Sequence, residues 1–239
     1  MKGFDEDSLV QEPIAAHLSD ILDWSTIYAH NSEVLGPNLE DGKSWTGRDS
    51  QREVVLKHRL RNKIKQLNPN FPESVYDDSV REVMSYTNAD DISSNNLEKE
   101  RMIREGLTIT YRNAEGEVDK AIIRLIDYET PGNNEFLIVR ELWIQGPVYR
   151  RRPDIIGFVN GIPVIICECK NVDKPLKNAF NDNISDYKDT VPHLFHHAAI
   201  VMLTNGEQTK FGTITSGYEH FHEWKRIKED DEPSDDPRI

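Results

Sequence analysis

The sequence has little cysteine, no long apolar run and no excess of positive charge, and each shortage narrows what the chain can be. Its two cysteines, Cys167 and Cys169, lie two positions apart, a spacing along one strand that no ordinary disulfide bridges. A disulfide framework is thereby excluded, and a reducing, cytoplasmic setting is expected. No stretch reaches the roughly 18 apolar residues that a membrane-spanning helix needs. The opening MKGFDEDSLVQEP lacks the basic-then-apolar order of a signal peptide. The net charge of −13 over 239 residues argues against a uniformly basic face for nucleic acid.

Charge is unevenly spread, however. Residues 228–239, KEDDEPSDDPRI, are acidic and read as a linker or tail. That leaves 1–227 as one domain, with 24–105 a mostly helical elaboration. Arg48, Arg52, Lys57, Arg59, Arg61, Lys63 and Lys65 gather within 48–65, and Arg150, Arg151 and Arg152 stand just before Asp154. The first cluster reads either as a solvated helix face or as a contact for phosphates.

Periodicity predicts a helix over 9–22, with Ser8-Leu9-Val10-Gln11 as a capping box at its start. A second helix is expected over 50–67, with Leu56, Leu60, Ile64 and Leu67 on one face, and a third over about 75–105, interrupted at 87–96. Strands are then expected over 108–111, 120–127 and 135–144. The near-continuous apolar runs 154–159 and 162–169 are joined by Asn160-Gly161, a strong hairpin signal. A helix over 176–187 and a buried strand over 198–203 complete an α/β order with a mixed sheet flanked by helices.

The chemistry concentrates at the ends of that hairpin. Asp154 opens one buried strand, and Glu168 and Lys170 close the next. Alternation puts Glu168 and Lys170 on one face and the two cysteines, read as small buried apolar residues, on the other. Charges at the ends of apolar strands are costly unless they are paired or bind a cation. Two carboxylates suit a hard cation such as Mg²⁺, with Mn²⁺ as a substitute. Such a cation beside a lysine suits phosphodiester hydrolysis. A strict two-residue turn would pair Asp154 with Cys167 and send the two acids to opposite faces. A shared site therefore requires a three-residue connection or a bulge near Gly157 or Gly161.

Two further patterns are set aside. Gly36-Pro37-Asn38-Leu39-Glu40-Asp41-Gly42-Lys43-Ser44 imitates a phosphate-binding loop, but its glycine spacing is one too long and two acids sit where backbone N–H groups should cradle phosphate. No nucleotide site is expected in this chain. His193, His196 and His197 lack a carboxylate or cysteine partner at zinc-ligand spacing and read as loop and strand-edge residues.

The stretch RRPDIIGFVNGIPVIICECKN resembles the nuclease motif in the restriction subunit of type I restriction–modification enzymes, of the PD-(D/E)xK superfamily. Similar blocks follow in order: LVQEPIAAHL, QREVVLKHRLRNKIKQLNP, NEFLIVRELWIQG, YKDTVPHLF and LTNGEQTKFGT. The resemblance implies a restriction-endonuclease-like fold with a helical insertion after the first helix. It implies a Mg²⁺-dependent DNA endonuclease domain with Asp154, Glu168 and Lys170 as the catalytic centre and the Cys169 carbonyl as a further metal ligand. Tyr187 and Asn183 match a Gln-x-x-x-Tyr element, the amide here one methylene shorter. Glu12 matches a family acid that completes the metal site, although by itself it is also an ordinary helix-start carboxylate. Double-stranded DNA and the methyltransferase and specificity subunits are the implied partners, and the motor's ATPase lies outside this chain. The competing readings are a non-catalytic DNA- or protein-docking module with the same fold, and a standalone hydrolase.

Overall fold

A computed structural model describes residues 7–37 and 44–223. The acidic stretch 228–239, most of the phosphate-loop imitation and the Ser8 side chain of the expected capping box lie outside the described residues.

A π-helical turn at Asp7–Gln11 runs into α1 (Glu12–Leu22), and β1 (Ser25–Tyr28) follows. The insertion holds α2 (Lys57–Leu67), α3 (Glu73–Met84) and α4 (Ile92–Glu105). Next come β2 (Leu107–Arg112), β3 (Val118–Ile123), β4 (Phe136–Arg140), β5 (Ile144–Gln145) and β6 (Arg150–Arg151). The remainder is β7 (Ile155–Val159), β8 (Ile162–Cys169), α5 (Leu176–Asn178), a π-helical stretch Ala179–Ile184, α6 (Ser185–Thr190), β9 (Ile200–Thr204), β10 (Thr209–Gly212) and β11 (His222–Glu223).

Seven strands form one mixed sheet in the order β1-β4-β7-β8-β9-β10-β11. Pairing is parallel for β1 with β4 and for β8 with β9, and antiparallel elsewhere. One face packs Ile156, Phe158, Ile166, Val201 and Leu203 against Ala179, Ile184 and Tyr187. The other packs Ile138, Ile155, Cys167 and Cys169 against Val10 and Ala15. Each fully buried side chain of this kind contributes about 1.5–3 kcal/mol relative to exposure. The two cysteines are thus core residues, and neighbouring Cys167 together with burial raises the Cys169 thiol, keeping it protonated.

Several sequence expectations are corrected. Residues 25–28, assigned to a helical elaboration, form an edge strand of the main sheet. Among the described residues the strands at 107–112 and 118–123 pair only with each other, and they build a second core with α2 and α3. The second helix starts at Lys57 rather than at 50, because the Leu56 N–H is donated to the Gly161 carbonyl at 2.8 Å. A Cβ at Gly161, where φ is +80°, would come within 2.7 Å of the Leu56 carbonyl, so this contact requires glycine.

Among the described residues five of the seven cations of 48–65 are engaged by acids rather than forming a free basic face. Arg48 is completely buried, bound to both Glu33 oxygens at 2.7 and 2.9 Å and to the carbonyls of Glu53 and Trp143. Lys57 pairs with Asp49 and Glu53, Arg59 with Glu135, Arg61 with Glu73 and Asp77, and Lys65 with Glu73.

Candidate active site

The β7–β8 hairpin sets the geometry. Asn160 (φ 53°) and Gly161 (φ 80°) make the two-residue turn with both residues left-handed. Val159 faces Ile162 and Phe158 faces Pro163, but Gly157 then faces Ile165, so Val164 is an extra residue on β8. This is the bulge that a shared site demanded. Pro163 precedes the first β8–β9 pair, Ile165 with Ile200, so its missing N–H breaks no bond to that neighbour. Beyond the bulge Ile155 faces Cys167. One step further, Asp154 stands opposite Glu168.

Both acids are buried. Asp154 Oδ2 accepts the Cys169 N–H at 2.7 Å, which ties the start of β7 to the end of β8. Glu168 is 1% exposed; its Oε1 accepts the Tyr187 hydroxyl at 3.2 Å and lies 3.9 Å from Lys170 Nζ. Asn183 Nδ2 donates to the Tyr187 oxygen at 3.3 Å. The π-helical stretch Ala179–Ile184 carries Asn183, and α6 continues it to Tyr187 on the face toward β8. The Lys170 N–H is donated to the Thr204 carbonyl at 2.8 Å, fixing the lysine's backbone against the end of β9.

Burial pushes the Glu168 carboxyl well above its ordinary range, and Asp154 adds to this; Lys170 and the Tyr187 hydroxyl pull the other way. Burial, then the Glu168 charge, raises the Tyr187 phenol, so it stays a donor. Among the described residues Glu168 Oε2 is buried and has no hydrogen-bond partner. An orphaned carboxylate oxygen beside a second buried acid is the donor chemistry that a hard divalent cation satisfies. Among the described residues no group of three or more His, Cys, Asp or Glu side chains is gathered for a metal. A cation here would use the two carboxylates and complete its shell with backbone or water oxygens.

Of the residues singled out from sequence, Asp154, Glu168, Lys170, Tyr187 and Asn183 come together, with the Cys169 backbone among them. Glu12 does not join this hydrogen-bonded cluster: it is exposed at the first position of α1. Its neighbour Gln11 is buried instead, its Nε2 donating to Asp154 Oδ1 at 3.1 Å and to Glu141 Oε1 at 3.0 Å. Gln11 and Glu141 were missed. An available signal was the charged pair Arg140-Glu141 between Val139 and Leu142, in an otherwise apolar run.

Arg151 makes two bonds to Asp186, and Arg152 meets Glu141 at 2.6 Å. Arg150 lies 3.9 Å above the Trp143 ring. Of the three histidines, His196 and His197 lie in the turn before β9, a loop position as expected. His196 and His197 are buried, with ring nitrogens on the Ala89 and Val83 carbonyls, each at 2.9 Å.

A mixed sheet flanked by helices, with two buried acids at the adjoining ends of a bulged hairpin, defines an α/β domain of the restriction-endonuclease-like class. The chain belongs to the family described as type I restriction enzyme R protein N terminus, whose model matches residues 3–220. It is 31% identical over 234 residues to the putative type I restriction enzyme MjaIXP endonuclease subunit of Methanocaldococcus jannaschii, covering 95% of this chain and 21% of that protein. It is 34% identical over 183 residues to the type I restriction enzyme HindI endonuclease subunit of Haemophilus influenzae, covering 74% of this chain and 17% of that protein. The chain thus spans about a fifth of the length of these curated relatives. Among the described residues no helix is long and apolar enough to cross a membrane.

Proposed function

We propose that this chain is a PD-(D/E)xK nuclease domain that hydrolyses phosphodiester bonds of double-stranded DNA with Mg²⁺ or Mn²⁺. The observation that carries this reading is the bulge at Val164, which sets Asp154 opposite Glu168 with Lys170 beside them. A β-hairpin serving only as core has no use for two buried acids on one face, nor for an orphaned Glu168 oxygen.

Asp154 and Glu168 would hold the cation, with the Cys169 carbonyl as a further oxygen. When bound, such a cation supplies Lewis-acid charge at the phosphoryl group and acidifies water. Lys170, 17% exposed at the rim, orients the attacking water and neutralises charge that develops on the phosphoryl oxygens. Tyr187 fixes the Glu168 carboxylate by donating to Oε1, and Asn183 holds the Tyr187 oxygen from the other side. The partners are the methyltransferase and specificity subunits of a type I system. ATP-driven movement belongs to sequence outside this chain.

The test is Lys170→Ala in the full-length, assembled enzyme. DNA cleavage should fall by at least about 100-fold, with DNA-dependent ATP hydrolysis retained. Cleavage at the wild-type rate would remove Lys170 from the chemistry, and with it the nuclease reading of this site.

A further inference from the structure

We propose that Gln11 is a positioning residue for Asp154, acting as a neutral donor wedged between two carboxylates that would otherwise repel each other. This rests on the cation-site reading above and deepens it. The residue lies at the junction of the π-helical turn and α1, with 2% exposure. Its Nε2 donates to Asp154 at the entry to β7 and to Glu141 just past β4. Chemistry dictates that orientation, because the amide oxygen turned toward two carboxylates would meet only acceptors. The consequence, among the described residues, is a buried Gln11 Oε1 without a partner. A glutamine serving only to join α1 to the sheet would satisfy both ends of its amide. Among the described residues this one leaves its acceptor unmet while its donor serves two acids.

The anchor on the far side is equally specific. Glu141 adopts a left-handed backbone, φ 58°, that costs a non-glycine residue about 1 kcal/mol or more. In that conformation its N–H is donated to the Asp154 carbonyl at 2.9 Å. Arg152 holds the Glu141 carboxylate at 2.6 Å and His30 lies 3.4 Å from it. Asp154 is therefore gripped through its backbone by Glu141, through Oδ2 by the Cys169 N–H, and through Oδ1 by Gln11. Outer partners that orient a ligating carboxylate typically change metal affinity by 10–100-fold when removed.

The experiment is a Mn²⁺ titration of the whole chain at pH 7.5, read by the loss of the free-ion magnetic resonance signal. Gln11→Met keeps the volume and deletes the donor; it should weaken Mn²⁺ about 10–100-fold. Adding Glu141→Gln to that variant should recover part of the affinity, because a neutral amide again faces Asp154. A purely structural role predicts no such rescue. Gln11→Asn, which withdraws the amide by one methylene, should also weaken binding and serves if the methionine variant does not fold. Wild-type affinity in a Gln11 variant, with affinity lost in Asp154→Asn, overturns the role of Gln11 and leaves the cation site standing. Mn²⁺ binding that is absent, or unchanged in Asp154→Asn, overturns the site itself and this inference with it.

Discussion

Glu168 and His197 are both buried ionisable side chains, one at the rim of the β7–β8 hairpin and the other in the layer between the sheet and α3. They resolve the cost of burial in opposite ways. His197 donates Nε2–H to the Val83 carbonyl, and burial pushes its pKa down to about 3, so at neutral pH it carries no charge. Glu168 meets a second acid, a lysine at 3.9 Å and a tyrosine hydroxyl. Among the described residues each side chain keeps one buried atom without a partner, Oε2 in Glu168 and Nδ1 in His197, but only Glu168 lies against another acid. The histidine layer is structure that happens to be polar. The rim carries a cost that structure does not require, and function is the physical reason to bear it.

The comparison breaks most visibly if divalent cations do not distinguish the two regions. At Mn²⁺ about a thousandfold above its dissociation constant, native-state binding should stabilise the wild type by about 4 kcal/mol. Asp154→Ala should lose that gain, and His197→Ala should keep it; calorimetry with and without Mn²⁺ measures both. Next in size is the cost of truncating the histidine itself. His197→Ala should lose about 2–4 kcal/mol in urea unfolding, from a cavity and an unmet Val83 carbonyl. Glu168→Gln should have the opposite sign without metal, gaining about 1 kcal/mol by removing a buried acid that faces Asp154. A loss of several kcal/mol there would make Glu168 a structural residue after all.

Acid sharpens the contrast from the histidine side. Burial lowers the pKa of His193 to about 4 and that of His197 to about 3, against an ordinary 6.5. On acidification the unfolded chain therefore takes up protons first. Their contribution to stability is complete above pH 6.5 and drains away as pH falls from 6.5 toward about 4 for His193 and about 3 for His197. Between pH 6.5 and 5.5, His197→Ala should lose about 1 kcal/mol less than wild type. An identical acid slope would show that His197 titrates normally. The smallest effect belongs to the surface of α2, where Arg61→Ala should cost under about 1 kcal/mol, because its bonds to Glu73 and Asp77 face solvent.

Much of the site was legible because its signals are local. Two apolar runs, an Asn-Gly turn and the demand that Asp154 and Glu168 share a face together implied either a three-residue connection or a bulge, and the bulge is found, opposite Gly157 and Phe158. The helices α3 and α4 and the break between them were likewise written in apolar spacing. What stayed hidden depends on partners distant in sequence. The four residues of β1 are a strand because β4 lies alongside, more than a hundred positions later. Gln11 has the look of a capping residue because Ser8 is near in sequence, whereas Glu141 and Asp154 are near in space. Likewise the cations of 48–65 and the nearby Asp49 and Glu53 were plain, but the outlying acids Glu33, Glu73, Asp77 and Glu135 that also pair with them were not.

The most direct measurement is the anomalous signal of Mn²⁺ soaked into crystals of the domain. The account predicts a peak within about 2.0–2.6 Å of carboxylate oxygens of both Asp154 and Glu168, and none beside His196 or His197. A domain that binds Mn²⁺ elsewhere, or leaves these two carboxylates without it at saturating concentration, would contradict it.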